Sequence, residues 1–183
     1  MKTRRIGEPS GVRPGVKGVM ALVVGTAIAA IAAGPGATTP PATTPAVNLV
    51  QAMNDARAQA GLPPLRVSKR LEEAALAHDR EMLRYGFFSH TSRDGREFWQ
   101  RVEHWYPPRG RGWTVGENLL AASPNVSMRR TVAAWLASPE HRANLLSSAW
   151  VSVGVAVLHA ESAPGVYEGE ATTFITADFG RPG

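Results

Sequence analysis

The period of the hydrophobic pattern changes near residue 150, and this change constrains the fold more than any other feature of the chain. Before residue 150, apolar side chains recur every three or four residues, as they do in amphipathic helices. After it, valines alternate with other residues over 151–157, and a second alternating run covers 174–178. Two strands that follow four helices predict an α+β fold with a central antiparallel sheet covered by helices.

Residues that start or stop helices divide the first part of the chain. Serine, threonine and aspartate cap helix N-termini, proline suits the first turn, and glycine ends helices. The stretch from Ser138 also brings Glu140 and His141 into a first helical turn. These residues predict helix starts at Thr44–Pro45, Ser68, Asp94, Ser123–Pro124 and Ser138–Pro139, and helix ends at Gly61 and Gly86.

Two further histidines lie in helical segments. His78 shares the apolar stripe of the second helix with Leu71 and Met82, so we expect a hydrogen-bonded core histidine and not a ligand. His104 lies off the apolar stripe of the third helix, so we expect it to face solvent.

The chain contains no cysteine, which excludes disulfides, thiol catalysis, cysteine-ligated zinc and a lipid anchor on an N-terminal cysteine. Any metal must therefore be held by histidine, aspartate or glutamate. With 183 residues, the chain has room for one domain with its own core and for a tail.

The net charge of +5 suggests a nucleic-acid partner at first sight. However, residues 1–34 carry five of the basic side chains against one glutamate, and the rest of the chain carries 15 basic and 14 acidic side chains. The basic character therefore belongs mainly to the N-terminal segment, and we expect no nucleic-acid partner.

The N-terminal segment has the pattern of an export signal. A basic region ends at Lys17, an apolar run follows, and small residues at 30–32 offer a cleavage site. We therefore expect residues 1–33 to be a signal peptide or signal anchor, residues 34–45 a Pro/Thr-rich linker, and residues 46–181 a monomeric domain outside the cell. An uncleaved N-terminal helix that anchors the domain is the alternative, and it is the only membrane contact expected.

Three ionisable residues stand in positions that suit chemistry. The helix dipole disfavours a protonated imidazole in a first turn, so His141 is expected to be neutral, with a free lone pair. Glu117 precedes an apolar run, where a carboxylate is either in a surface turn, paired or functional. His90 lies in the polar Ser-His-Thr loop after the second helix. A surface position without a function is the alternative for His141 and for Glu117.

Arg109 and Arg111 lie in a Pro/Gly-rich run with tryptophan and tyrosine around it. We expect a solvated cationic loop here. A contact for a small anion or a glycan is the alternative.

Several motifs in this order resemble the bacterial, SCP-like extracellular branch of the CAP superfamily, which groups cysteine-rich secretory proteins, antigen 5 and pathogenesis-related proteins. They are MNDARAQAGLPPLRVSKRLEEAALAHDREML, FFSHT, GENLL, WLASPEHRANLL, VGVAV and FITADFG, and they extend from about residue 48 to residue 180. The resemblance implies an α-β-α sandwich with a central antiparallel sheet and an extracellular location.

The resemblance also implies a cleft with two histidines and two glutamates that binds a divalent metal in some members. Three of the four positions fall on His90, Glu117 and His141, which are the expected metal ligands, for Zn²⁺ or another divalent ion. The second glutamate falls on Ser138, with Glu140 close by in the sequence. The expected ligand cleft therefore consists of His90, Glu117, Ser138, Glu140 and His141.

Three functions remain open for this cleft. The first is a binding module for a metal, a small molecule or a cell-surface component. The second is a metal-dependent, protease-like hydrolase; without a metal, Glu117 and a neutral histidine can form the hydrogen-bonded pair that a general base requires. The third is a lipid or sterol carrier. No catalytic residue can be assigned among them.

Overall fold

A computed structural model describes residues 44–183. The predicted export segment, and the predicted linker apart from its last two residues, lie outside the described residues. The elements in chain order are α1 Pro45–Gln59, β1 Arg66–Val67, α2 Lys69–Tyr85, α3 Phe98–Trp105, β2 Thr114–Ala122, α4 Met128–Ala137, α5 Pro139–Leu145, β3 Ser152–Ala160, a 3-10 turn Gly165–Tyr167, and β4 Thr172–Arg181.

The four strands form one sheet in the order β1-β3-β4-β2. The three long strands are antiparallel, and the two-residue β1 adds to β3 in parallel. Helices cover both faces, with α2 and α3 on one side and α1, α4 and α5 on the other. The predicted α+β sandwich is therefore confirmed, and the short parallel strand makes its sheet mixed.

Alternation along β4 separates the two layers. Ile175, Ala177 and Phe179 pack into the core between the sheet and α1, α4 and α5. Thr176 and Asp178 point to the opposite face, toward α2. A strand that is apolar on one face and polar on the other, and buried on both, indicates a polar cluster under α2.

Most of the helix limits follow the predictions. Thr44 caps α1 through its hydroxyl, which accepts from the Val47 N–H at 3.4 Å, and Gly86 ends α2 in the left-handed conformation. Ser138 is the N-cap residue of α5, although its side chain makes no capping hydrogen bond.

Two predicted helix starts are wrong. Helix α3 begins after Glu97, which caps it and forms a capping box with Gln100. The predicted cap, Asp94, is not at the helix start; its carboxylate accepts hydrogen bonds from Arg96 in an exposed turn. Helix α4 begins at Met128, because the Ser127 side chain accepts from the Arg130 N–H. The predicted start at Ser123–Pro124 lies in the preceding loop.

Helix α5, which carries His141, is held onto α1 by a buried arginine. Arg57 donates from Nη1 to the carbonyls of Leu145 at 2.9 Å and Ser147 at 2.8 Å. The guanidinium satisfies the last carbonyls of this short helix and of the chain that follows it. Arg57 thus fixes the position of α5 next to the sheet.

Candidate functional site

The site lies at the β2 edge of the sheet. Residues 116–120 are the centre of β2, which sequence reasoning did not recognise as a strand. Side chains from the helices cover the outer edge of this strand: Asn144 Nδ2 donates to the Glu117 carbonyl at 3.0 Å, and Trp135 Nε1 donates to the Leu119 carbonyl at 3.2 Å. These bonds satisfy strand carbonyls that have no partner strand, and they bring α5 against Glu117.

The Glu117 carboxylate joins His90 to Arg101. His90 Nδ1 lies 2.8 Å from Glu117 Oε1, and Arg101 Nη2 bonds Oε2. The side chain of Glu117 is fully buried, that of Arg101 is 6% exposed, and that of His90 is half exposed. A buried carboxylate requires a cationic partner, and Arg101 supplies it.

Arg101 also fixes the loop that carries His90. Its Nη1 donates to the His90 carbonyl at 3.2 Å and to the Ser92 hydroxyl at 3.0 Å. One guanidinium therefore positions both the backbone of His90 and the carboxylate that orients the His90 ring.

The pKa of Glu117 is held below its usual value. Burial alone would raise this pKa, but the hydrogen bond from His90 and the positive charge of Arg101 outweigh burial. Glu117 is therefore ionised at neutral pH. Because an ionised carboxylate only accepts hydrogen bonds, His90 Nδ1 must carry a proton, and in the neutral ring Nε2 then has a free lone pair.

Two more carboxyl groups lie under α2. Asp178 is the cross-strand neighbour of Glu117, and none of the described residues offers a donor to either of its oxygens. Burial, and then the charge of Glu117, raise the pKa of Asp178 well above its usual value, so that a protonated Asp178 can donate to Glu117. Burial raises the pKa of Asp79 to about 7, and its Oδ1 accepts from the Thr176 hydroxyl at 2.5 Å.

The core histidine was predicted correctly. His78 is fully buried, and its Nε2 donates to the Ser89 carbonyl at 2.8 Å. Burial lowers the pKa of His78, which favours the neutral ring. The bond fixes the chain one residue before His90, so His78 is a structural support of the site. His104 is exposed, as predicted.

His141 lies near His90 on the other side of the β2 edge. Asn118 Nδ2 donates to the His141 carbonyl at 3.0 Å, which places the first turn of α5 beside β2. Burial, and then the charge of His90, lower the pKa of His141, while Glu140 opposes them. The two rings are thus electrostatic neighbours. Among residues 44–183, neither Ser138 nor Glu140 makes a side-chain hydrogen bond to His90 or Glu117.

The arrangement does not match a three-ligand metal centre. Both carboxylate oxygens of Glu117 are bonded, one of them to a guanidinium whose positive charge opposes a second cation. Zinc sites in enzymes use about three protein ligands. No group of three or more His, Asp or Glu side chains within the described part of the chain is arranged to hold a metal ion. The ligand set His90, Glu117 and His141 stays a prediction, to which this structure gives no support.

Sequence reasoning missed Arg101 and Asp178 as site residues, although the sequence contains a signal for each. Arg101 falls on the apolar stripe of α3, beside Val102, where a charged residue is unusual unless it has a buried partner. Asp178 falls on the face of β4 that Thr176 shares, inside a strand with apolar residues on its other face.

Comparisons with known proteins agree with this architecture. The family described as "CAP: Cysteine-rich secretory protein family" matches residues 50–179. No curated protein matches the chain at a significant level.

Three solved bacterial structures share the fold. An outer surface protein of Borrelia burgdorferi is similar with a TM-score of 0.58 and 20% identity, over 74% of this chain and 90% of that one. An extracellular protein with an SCP domain from Bacillus anthracis has a TM-score of 0.58 and 25% identity, over 75% of this chain. A cysteine-rich secretory protein of Staphylococcus aureus has a TM-score of 0.53 and 17% identity, over 74% of this chain.

This chain spans only 40% of the Bacillus anthracis protein and 38% of the Staphylococcus aureus protein. The likeness therefore concerns less than half of each of these two proteins. Because the family match covers residues 50–179 of the 183-residue chain, the chain belongs to the CAP (cysteine-rich secretory protein) family.

Proposed function

We propose that this protein is an exported CAP domain that binds a small polar ligand between His90 and His141 without the help of a metal ion. The neighbours described as an outer surface protein and an extracellular protein support a location outside the cell, as does the export pattern of residues 1–33. No helix within residues 44–183 is long and apolar enough to cross a membrane.

The observation that carries the proposal is the bonded chain His90–Glu117–Arg101. It fixes a half-exposed imidazole by two buried charged groups. A side chain held in one orientation loses less freedom when a ligand binds, and this pre-organisation favours binding. An ordinary surface histidine would not require a buried ion pair behind it.

The chemistry of the exposed groups indicates a ligand that donates hydrogen bonds. The free Nε2 of His90 accepts, and His141, whose pKa is lowered, offers a ring lone pair. Glu140 adds an exposed carboxylate next to His141. Arg101 is buried, and its two terminal nitrogens are bonded to Glu117, His90 and Ser92, so it is not an accessible cation for a bound anion. A hydroxyl or ammonium group fits these acceptors.

An NMR titration of the histidine ring resonances tests the proposal, with ethanolamine as the probe and EDTA present throughout. We expect saturable shifts at His90 and His141 and no shifts at His104. The variants His90→Asn and His141→Asn should fold and should each weaken the response at least tenfold. No response of wild type to ethanolamine, or a response of wild-type strength in both variants, would overturn the proposal. A separate titration without EDTA, in which zinc shifts the His90 and His141 resonances and ethanolamine does not, would overturn the proposal in favour of the metal-binding prediction.

A second candidate function rests on the same hydrogen bond. A carboxylate that orients a histidine through Nδ1 is the arrangement of a general base, and Nε2 of His90 can then take a proton from water. A hydrolase that attacks a peptide or ester with this water would need no metal. Among the described residues, no serine hydroxyl is hydrogen-bonded to the His90 ring.

Turnover of casein and of p-nitrophenyl acetate, with EDTA present, tests the hydrolase. We expect His90→Asn to abolish turnover, because the ring that takes the proton is removed while the half-exposed position tolerates the change. His104→Asn, at an exposed histidine outside the site, is the control and should retain full turnover. Equal turnover in both variants would indicate a contaminating enzyme.

Nothing in the structure favours the lipid carrier. Two concave surfaces of the described chain enclose about 290 and about 280 Å³, and both include charged side chains. The first is lined by Glu72 and Glu73 together with the apolar side chains of Leu76, Val155, Ala156 and Val157, and the second is mainly polar, with Arg96 and Arg101 among its residues. Lipid binding therefore stays a prediction.

A further inference from the structure

Six cationic side chains gather at one end of the sheet. All six are exposed, and they come from β1, the start of α2, the loop 107–112 and the end of β4. We call this surface the cationic end. Its members are Arg66, Lys69, Arg70, Arg109, Arg111 and Arg181.

Strand pairing brings Arg66 and Arg181 to the same end of the sheet. Arg66 pairs with Ser152 at the start of β3, and Ser152 pairs with Gly180 of β4. Arg181 follows Gly180 and pairs with Thr114 at the start of β2. Arg66 and Arg181 therefore lie at the same end of the sheet.

The loop 107–112 is fixed to this end by the backbone. The Arg109 N–H donates to the Pro182 carbonyl at 2.9 Å. A Cβ on Gly110 would lie only 3.4 Å from the backbone of Gly183, so the loop and the C-terminal residues are in contact. Arg109 and Arg111 are thus held near Arg181.

The first turn of α2 packs over the residues that pair across the sheet at this end, among them Gly180. Leu71 Cδ1 lies 3.2 Å from the position that a Cβ on Gly180 would occupy, and Tyr106 contacts the same glycine. Lys69 and Arg70 precede Leu71 directly, so they stand beside Gly180 as well.

The charges of the cationic end are not neutralised within the described chain. None of the six forms an ion pair; the five ion pairs of residues 44–183 all lie elsewhere. Glu72 and Glu73, in the next part of α2, are the acidic residues that follow in sequence, and they do not pair with the six either. Because the domain as a whole is almost neutral, six exposed cations without an ion pair form a local excess of positive charge at this end.

We infer that the cationic end binds a linear polyanion, a polymer with repeated phosphate or carboxylate groups, at or outside the cell surface. The two faces of the sheet both contribute. Arg66 shares the α2 face with Ser152 and Gly180, whereas Arg181 is directed to the opposite face, where its Nε donates to the Ala149 carbonyl at 2.6 Å. A flexible chain can follow cations around the end of a sheet, but a flat bilayer contacts one plane.

Binding of the full chain to inorganic polyphosphate tests this inference, by fluorescence anisotropy at several salt concentrations. The double variant Arg109→Gln, Arg111→Gln should weaken binding about fivefold to tenfold and should reduce the salt dependence, because fewer counterions are released. Arg129→Gln, Arg130→Gln is the matched control, since it removes the same charge from an exposed turn of α4. We expect less than a twofold effect from it.

Every variant contains the same basic N-terminal segment, so the contribution of that segment cancels. Equal weakening by the two double variants would overturn the inference, because it would show a response to net charge alone. Tighter binding to phosphatidylglycerol vesicles than to polyphosphate would also overturn it, in favour of a membrane surface. His90→Asn should leave polyphosphate binding unchanged, which separates this surface from the ligand site proposed above.

Discussion

At the scale of single residues, the main feature of the site is a charged carboxylate, Glu117, that is buried in the protein. Glu117 is fully buried, and it stays ionised because Arg101 and His90 compensate for lost hydration. Asp178 and Asp79 are buried nearby without comparable partners, and their pKa values rise. One carboxylate is kept charged while two neighbours favour the protonated form.

Glu117→Gln should lower the free energy of unfolding by about 3 kcal/mol or more, because it leaves the Arg101 guanidinium buried without a counter-charge. Arg96→Gln breaks the exposed pair with Asp94 and should cost about 1 kcal/mol or less. Urea denaturation measures both. A loss below about 1 kcal/mol for Glu117→Gln would mean that Arg101 is hydrated or paired elsewhere.

Asp79→Asn should stabilise the protein increasingly as pH rises. The folded-state pKa of about 7 lies above the usual 3.8, so the folded state holds a proton that the unfolded chain has released, and wild type loses stability between these pH values. Asparagine keeps an acceptor for Thr176 without the charge. The denaturation midpoints of wild type and Asp79→Asn should move apart as the pH rises from 4 to about 7. Above pH 7 the difference between the two midpoints should stay constant. Parallel curves over the whole range would refute the assignment.

The sequence indicates His90, Glu117 and His141 because local signals mark them: a polar loop, a glutamate before an apolar run, and a first helical turn. It does not indicate the ion pair, because Arg101 and Glu117 lie 16 positions apart and meet only through the packing of α3 on β2. That contact depends on tertiary structure, which periodicity does not describe.

At the scale of secondary-structure elements, α2 packs closely on β3 and β4, and its Asp79 accepts a hydrogen bond from Thr176 of β4. Gly154 permits this approach. A Cβ there would lie 2.0 Å from the Glu72 backbone nitrogen and 2.1 Å from the Leu71 carbonyl carbon. Backbone atoms cannot move aside as flexible side chains do, so only glycine fits at this contact.

Gly154→Ala should therefore destabilise the protein by about 3 kcal/mol or more, beyond the usual cost of overpacking. Gly110→Ala is the control, because its Cβ would meet only ordinary contacts at 3.4 Å, and we expect a change within about 0.5 kcal/mol. Thermal denaturation compares the two variants. A tolerated Gly154→Ala would mean that α2 lies farther from the sheet.

The elements were predicted in proportion to their local signals. Helix α2 and strands β3 and β4 have clear periodicity, whereas α1 has a weaker apolar stripe but clear start residues, Thr44 and Pro45. Strand β2 was missed because residues 114–122 are buried on both faces near their centre and show no alternation. The starts of α3 and α4 were misplaced because a second capping residue follows the first within a few positions.

At the scale of the whole molecule, a cysteine-free domain must be stable through its core, and three apolar clusters on the two faces of one sheet provide it. The ligand site lies at the β2 edge of the sheet. The cationic end lies at the end of the sheet where β1 and the last residue of β4 are found.

The export pattern predicts that the protein found outside the cell begins after the apolar run, within residues 30–45. N-terminal sequencing of the exported product measures this directly. A product that still starts near Met1 would show that the segment is retained as an anchor.

The ligand site depends above all on one bond, in which Glu117 holds His90 by Nδ1 and leaves Nε2 free for a ligand. The ring ¹⁵N spectrum of His90, recorded with EDTA at a pH where the ring is neutral, tests this bond most directly. We predict the proton on Nδ1, against the preference of a free imidazole. A neutral ring with its proton on Nε2 would contradict the proposed site, because Glu117 could then not accept from His90.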